Sequence, residues 1–168
     1  EHLEHFQREL DAYQDRKNRD QLDNLGHESD LMSFMLVGYR DFASGKVVLE
    51  PRFRKAGEFF EGLAYVQILK HYGYINTKGE LAIKPQFLSA KDFAEQRAAV
   101  LIVNKHNVER WGFIDPKGNM VIEAEYHNAR CFCEGLCAVE FRSGWGYIDT
   151  QGTKVIDFKF DVAGDFKD

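Results

Sequence analysis

Three cysteines and one histidine lie close together in the second half of the chain. They are His127, Cys131, Cys133 and Cys137. Zinc is bound by thiolate and imidazole, and a thiol beside an imidazole can act as a nucleophile. The spacing matches neither a zinc finger nor a known nucleophile motif, and an odd local set of cysteines does not form a disulfide framework. We therefore expect no metal, no cofactor and no catalytic residue here, and free thiols favour a reducing compartment.

Other polar residues that could do chemistry are isolated. His2 and His5 lie three residues apart with no third ligand, and Glu123 and Glu125 share one strand face without an equivalent pair elsewhere. The glycines follow hairpin spacing and open no helix, so no phosphate-binding loop is predicted. An enzyme is not expected.

A row of aromatic residues is the more plausible ligand site. Tyr72, Trp111 and Trp145 are each followed by a glycine and a second aromatic residue. Such rings can stack on sugars, bases or cationic head groups. A structural role is favoured over ligand binding, because the rings recur together with their glycine.

Composition narrows the choice of partners. The chain has 168 residues, 44% of them hydrophobic, 14 Phe and a net charge of −5. Without a basic stripe, nucleic acid is not an expected partner. No apolar run approaches the roughly 20 residues that span a bilayer, so no membrane insertion is expected. A cytoplasmic location is favoured, with export left open because the chain opens with Glu1 rather than Met.

The dominant signal is an internal repeat. Three segments match closely: YGYINTKGE (72–80), WGFIDPKGN (111–119) and WGYIDTQGT (145–153), with a weaker copy, VGYRDFASGK, at 37–46. Turn glycines, a first aromatic, an alanine and a second aromatic recur in register. These columns are Gly45, Gly79, Gly118 and Gly152; Phe53, Phe87, Tyr126 and Phe160; Ala56, Ala90, Ala129 and Ala163; and Phe59, Phe93, Phe132 and Phe166.

Each unit is predicted to contain three short strands, A, B and C. In the second unit these are LAYVQI, YGYIN and LAIKPQF. Alternation places Ile83, Pro85 and Phe87 inside and Lys84 and Gln86 outside, and the other units follow the same pattern. The outward positions therefore face solvent in every copy.

Glycines are predicted to serve two purposes. Those of the B–C turns, and Gly144 in the last A–B turn, supply positive φ. Those inside strand B, such as Gly73 and Gly112, allow another backbone or a ring to approach closely. An insertion at 103–110 in the third unit predicts a longer A–B hairpin tip.

The predicted fold is mainly β: tandem three-stranded antiparallel meanders, stacked as an elongated array or solenoid rather than a closed ring. The four units span about 31–60, 61–94, 95–133 and 134–168. Residues 1–30 carry apolar residues at helical spacing and are predicted to form an amphipathic helical cap over the first unit.

Over about residues 31–168 the repeat resembles the bacterial WG repeat family. The resemblance rests on the aromatic–Gly–aromatic core, the I-x-P-x-F-like strand and the F-x-E-G-L-like link. It departs in the first unit, where Val37 stands for Trp, and in the last two, which lack the proline. The resemblance implies a β-rich module with no shared catalytic activity and with varied roles among its members.

Three functions follow as hypotheses. The first is a non-catalytic module for protein–protein interaction or scaffolding, because repeated solvent-facing strands present an extended surface. The second is carbohydrate or cell-wall recognition through Tyr72, Trp111 and Trp145. The third is an inhibitory or immunity protein, or part of an enzyme, using the places where the repeat is broken.

Overall fold

The computed structural model describes residues 37–40, 44–142 and 144–164. Regular structure in this part of the chain is entirely β. The strands are β1 (Val37–Arg40), β2 (Val47–Phe53), β3 (Lys55–Ala56), β4 (Leu63–Ile68), β5 (His71–Asn76), β6 (Leu81–Phe87), β7 (Ser89–Ala90), β8 (Ala98–Val103), β9 (Glu109–Ile114), β10 (Met120–Tyr126), β11 (Asn128–Ala129), β12 (Leu136–Phe141), β13 (Gly144–Asp149) and β14 (Lys154–Phe160).

The strands form four antiparallel sheets in chain order. Sheet 1 is β1–β2, sheet 2 is β3–β4–β5–β6, sheet 3 is β7–β8–β9–β10 and sheet 4 is β11–β12–β13–β14. Neighbours in each sheet are neighbours in sequence, and none of these sheets closes into a barrel. The prediction of a mainly β, antiparallel repeat is therefore confirmed. The helical cap predicted for residues 1–30 lies outside the described residues.

Sheets 2 to 4 contain one strand more than the predicted meander. After strand C the chain bends at a single residue and forms a two-residue strand that pairs with the next strand A. The alanines of the predicted column, Ala90 and Ala129, lie in these short strands and are buried. A small side chain is needed there because the segment passes directly from one sheet into the next. The sequence pattern missed this strand since two residues are too short to show alternation.

Strand C arches over the glycine of strand B. In sheet 2, Tyr72 pairs with Phe87 and Tyr74 with Ile83, so three residues of β6 lie opposite Gly73 alone. A Cβ on Gly73 would lie 2.5 Å from the carbonyl oxygen of Ile83, and one on Gly112 would lie 2.7 Å from that of Ile122. The predicted close backbone approach is confirmed, and it explains why glycine follows each ring.

The hydrophobic core lies between successive sheets. Ile83 and Phe87 of sheet 2 pack with Val100 and Ile114 of sheet 3. The same arrangement joins sheets 3 and 4, where Ile122 and Tyr126 pack with Val139 and Ile148. Inward and outward residues of β6 and β10 alternate as predicted. Each unit therefore completes the core of its neighbour, as in other repeat arrays.

Two kinds of turn recur. The B–C turns place Gly79, Gly118 and Gly152 at positive φ, as predicted. A second turn precedes strand A, where Glu61, Glu95 and Glu134 all have φ near +50°. The prediction for Gly144 is wrong: Arg142 has positive φ in that turn, whereas Gly144 lies under the carbonyl oxygen of Phe158. Gly144 is thus another close-approach glycine.

In the described part of the chain, no helix has the length and apolar character needed to cross a membrane.

Candidate functional site

The aromatic row predicted from the sequence lies in the central strand B of sheets 2, 3 and 4. Tyr72, Trp111 and Trp145 occupy matching positions in β5, β9 and β13 and are all partly exposed. The second rings of sheets 2 and 3, Tyr74 and Phe113, are fully buried, whereas Tyr147 of sheet 4 is partly exposed. The row therefore exists as a repeated feature, with limited access to solvent.

Cationic side chains lie over both tryptophans. The Lys91 Nζ atom is 5.2 Å from the centroid of the Trp111 ring, and the Arg130 Cζ atom is 5.6 Å from that of Trp145. Lys91 also donates a hydrogen bond to the backbone carbonyl of Ala129 in the next sheet. One face of each indole is thus in contact with a cation from its own sheet, a favourable arrangement for the ring quadrupole.

The matching position in sheet 2 has no cation, because Gly57 stands where Lys91 and Arg130 stand later. The ring of Tyr65 fills the space above Gly57 and packs against Tyr72, with ring centroids 6.0 Å apart. All three rings of the predicted row are therefore covered on one side, by an aromatic ring in sheet 2 and by cations in sheets 3 and 4.

The residue after the alanine of each unit also carries a backbone carbonyl that accepts a hydrogen bond from a side chain. We call the carbonyls of Gly57, Lys91, Arg130 and Gly164 the link carbonyls. Tyr39 donates to the first at 2.8 Å, Tyr74 to the second at 2.7 Å and Tyr147 to the fourth at 3.1 Å.

The third link carbonyl has a different donor. The residue matching Tyr74 is Phe113, which has no hydroxyl group. The thiol of Cys137 donates to the Arg130 carbonyl instead, with a sulfur–oxygen distance of 3.1 Å. Cys137 is completely buried and replaces the alanines Ala64 and Ala98. Its role in this structure is packing and hydrogen bonding.

Asp92 is the centre of the main titratable cluster of the described residues. Its Oδ1 atom is buried and has no hydrogen-bond partner among the residues that the structure describes. Burial raises the pKa of this carboxyl group, and the charge of Glu58 raises it further. Burial, together with Tyr65 and Asp92, raises the pKa of Tyr39 to about 12. The cluster favours neutral side chains and contains no base paired with a nucleophile.

The other two cysteines lie in the link that precedes strand A of the fourth unit. Cys131 is exposed, Cys133 is partly exposed, and none of the three cysteines forms a disulfide bond. The Cys131 sulfur lies 3.9 Å from the Asp92 carbonyl oxygen. Across the described ranges, no group of three or more His, Cys, Asp or Glu residues could hold a metal ion.

The insertion forms the tip of the β8–β9 hairpin, at the predicted place. The side chain of Asn104 accepts hydrogen bonds from the backbone N–H groups of His106 and Val108 and donates one to the carbonyl of Ala124. Asp115 organises the following B–C turn by the same pair of backbone contacts. Asn107, at φ 58°, takes the place of the turn glycine. The insertion is therefore a second copy of the repeat's own turn.

The outward face of strand C is a largely exposed surface that recurs in sheets 2, 3 and 4. We call it the strand C row. It comprises Ala82, Lys84 and Gln86 of β6, Val121, Glu123 and Glu125 of β10, and Val155, Asp157 and Lys159 of β14. All nine are exposed except Lys84, which is partly exposed. The row mixes apolar side chains with charges of both signs.

Sequence reasoning missed the contribution of Lys91, Arg130 and Asp92. These residues lie in link positions whose types vary between units, so no column drew attention to them. The sequence does contain one indication, because two positions of the repeat change together. Units with a cation at the link position, Lys91 or Arg130, have alanine in strand A at 99 or 138, whereas the unit with Gly57 has Tyr65. Such paired exchanges indicate that the two positions share one space.

The comparisons with known proteins agree with the repeat. The family model described as WG containing repeat matches residues 43–69, 72–105, 111–143 and 145–168. No curated protein and no solved structure matches the chain. The four matches together cover more than half of the sequence and carry the aromatic–glycine strands and the link segments described above. The chain belongs to the WG-containing repeat family.

Proposed function

We propose that this protein is a non-catalytic module that binds a protein partner through the strand C row. The observation that carries the proposal is the repetition of that exposed face on three successive sheets. The inward side chains of these strands are given over to the core, whereas the outward ones are free to vary. A surface of this kind fits an extended polypeptide, which can follow a repeat across several units.

The composition of the row supports a protein rather than a polyanion as partner. Lys84 in β6 gives way to Glu123 and Glu125 in β10 and to Asp157 and Lys159 in β14. The sign of the charge changes along the array, so the row offers no continuous basic track for phosphates. Exposed Val121 and Val155 lie beside these charges and add apolar contact area.

Carbohydrate recognition by Tyr72, Trp111 and Trp145 is the weaker proposal. Stacking on a sugar requires an open ring face, and one face of each of these rings already contacts Tyr65, Lys91 or Arg130. An enzymatic role has less support, because the titratable cluster around Asp92 joins no nucleophile to a base.

Site-specific photo-crosslinking tests the proposal. A benzophenone amino acid at Val121 places the probe on the row, and the same residue at Val103 places it on the inserted hairpin. Both valines are exposed. We expect a discrete protein adduct from position 121 in host extract and none from position 103. The variant Glu123→Lys, Glu125→Lys should abolish the adduct, because both carboxylates lie on the same strand face as Val121.

The adduct must then be reproduced with purified components. The partner identified by mass spectrometry should bind the wild-type chain in calorimetry, and at least tenfold more weakly the doubly substituted chain. Equal adducts from positions 103 and 121, or binding that ignores the two substitutions, would rule out the strand C row. Oligosaccharide binding that perturbs Trp fluorescence would favour the aromatic row instead.

A further inference from the structure

The last strand of sheet 4 differs from its counterparts in the sheets before it. The inward side chains of β6 and β10 are buried: Phe87 is 3% exposed and Tyr126 8%. In β14 the matching Phe160 is 40% exposed, and Ile156 and Phe158 are partly exposed. β14 is also the edge strand of its sheet. It therefore presents both a partly uncovered apolar face and an unpaired strand edge.

The corresponding edge strands carry features that oppose pairing with a second copy. β2 and β6 contain prolines, Pro51 and Pro85, which lack a backbone donor. β10 contains Glu123 and Glu125, which would lie opposite each other in a two-fold antiparallel pair and repel. β14 has neither device.

The sequence of β14 is instead complementary to itself. It reads Ile-Asp-Phe-Lys-Phe from 156 to 160. If two copies run antiparallel about Phe158, Asp157 of each lies opposite Lys159 of the other. On the other face, Ile156 lies opposite Phe160. Opposite charges and apolar pairs at facing positions stabilise antiparallel strands.

The charged groups of β14 make only exposed, local contacts, among them the Nζ atom of Lys159 at 5.7 Å from the centroid of the Phe160 ring. Asp157 and Lys159 are exposed. The Oδ1 atom of Asp157 accepts hydrogen bonds from Lys154 at 2.7 Å and from the Phe158 N–H at 3.2 Å. Both bonds use the same carboxylate oxygen, so Oδ2 can face a lysine of the second copy.

The first unit excludes the other simple mode of self-association. In sheets 2, 3 and 4 an isoleucine of strand B packs against the preceding sheet: Ile75, Ile114 and Ile148 are all completely buried. The matching residue of sheet 1 is Arg40, which is exposed. Stacking sheet 1 of one copy on sheet 4 of another would bury this charge without a partner.

We propose that two copies of this chain associate through β14, antiparallel about a two-fold axis at Phe158. The contact is isologous, so it closes as a dimer and does not propagate. It uses Asp157 and Lys159 as reciprocal ion pairs and covers the apolar side chains of Ile156, Phe158 and Phe160.

Sedimentation velocity over about 1–200 μM tests this association. The wild-type chain, 19.4 kDa as a monomer, should shift to twice that mass as concentration rises. Asp157→Lys alone and Lys159→Asp alone should each weaken the dimer at least about tenfold, because like charges then face each other. Lys84→Asp on β6 is the matched control and should leave the dimer unchanged, because Pro85 already keeps that edge from pairing.

Mixing the two single variants is the decisive measurement. A copy with Lys at both positions faces a copy with Asp at both, so the mixture should form a heterodimer although neither variant dimerises alone. A wild-type chain that stays monomeric throughout, a ladder of larger species, or a mixture that fails to associate would overturn the proposal. Unchanged melting temperatures of the single variants separate these outcomes from unfolding.

Discussion

Two junctions between sheets, 2 with 3 and 3 with 4, each contain a link carbonyl at the same position of the repeat. A different kind of side chain donates a hydrogen bond to it at each junction. At the first, the Tyr74 hydroxyl reaches across from sheet 2 to the Lys91 carbonyl. At the second, Phe113 cannot donate, and Cys137 donates to the Arg130 carbonyl from within sheet 4. The rings themselves pack alike: Tyr74 on Phe93 and Phe113 on Phe132, both edge to face.

The difference between these junctions shows what the repeat conserves. The residue types at 74 and 113, and at 98 and 137, are exchanged together, whereas the satisfied carbonyl is kept. A partly buried carbonyl without a donor is costly, so a change at one position is compensated at another. Within this chain the contact is therefore kept, while the residues that make it differ between units.

Substitution of the strand B glycines should cause the largest loss of stability, and the loss should be equal for Gly73 and Gly112. Gly73→Ala and Gly112→Ala would drive a methyl group against the strand C backbone, at an expected cost of about 3 kcal/mol each. Urea denaturation measures the loss. Gly164→Ala is the control, since a Cβ there meets nothing within 4 Å. Unequal losses at the two glycines would mean that the junctions differ in more than their donors.

Removal of the tyrosine hydroxyl at the first junction should have the next largest effect. Tyr74→Phe leaves the Lys91 carbonyl without this donor and should cost about 1.5 kcal/mol in the free energy of unfolding. The matched control is Tyr147→Phe, whose bond to Gly164 is longer and exposed and should cost less. If both variants lose the same stability, burial of the link carbonyl does not set the value of the bond.

A double-mutant cycle at the second junction should convert it into the first. Cys137→Ala alone should cost about 1 kcal/mol, because the thiol donor and its packing are lost. Phe113→Tyr combined with Cys137→Ala recreates the pair Tyr74 and Ala98. We expect the double variant to recover most of the loss, with a coupling of about 1 kcal/mol. Strictly additive losses in urea denaturation would contradict compensation.

The smallest expected effect is a change in the pH dependence of stability on substitution of Asp92, the residue that follows Lys91. Its raised pKa means that the folded chain binds a proton more tightly than the unfolded chain. This contribution to stability is therefore present below the unfolded pKa and is lost as pH rises through the folded value. Asp92→Asn should raise the melting temperature at neutral pH and flatten its decline as the pH rises above 3.8, the ordinary pKa of Asp.

Glu58→Gln is the companion variant for the carboxyl cluster. Because the Glu58 charge contributes to the shift at Asp92, the substitution should lower the pKa of Asp92 and reduce the same pH dependence. Calorimetric scans of both variants across the acid range provide the measurement. An unaltered pH profile in Asp92→Asn would place the titration on another group.

Much of the fold was predictable because its signals are local. The alternation of Ile83, Lys84, Pro85, Gln86 and Phe87 gave the faces of β6, and the spacing of the turn glycines gave the hairpins. The site was less predictable. The sequence located Tyr72, Trp111 and Trp145. Only the paired exchanges between columns pointed to Lys91 and Arg130, and no column showed that the Oδ1 atom of Asp92 is buried one sheet away from Glu58.

By itself the sequence determined the repeat, its strands, its inward and outward faces and its family. Only the tertiary structure decided which groups meet between units: the donor for each link carbonyl, the cover on each ring, and the incomplete burial of β14. The physical reason is the range of the interactions. Strand alternation is fixed by neighbours along the chain, whereas these contacts join residues of separate strands and depend on how the strands and sheets pack.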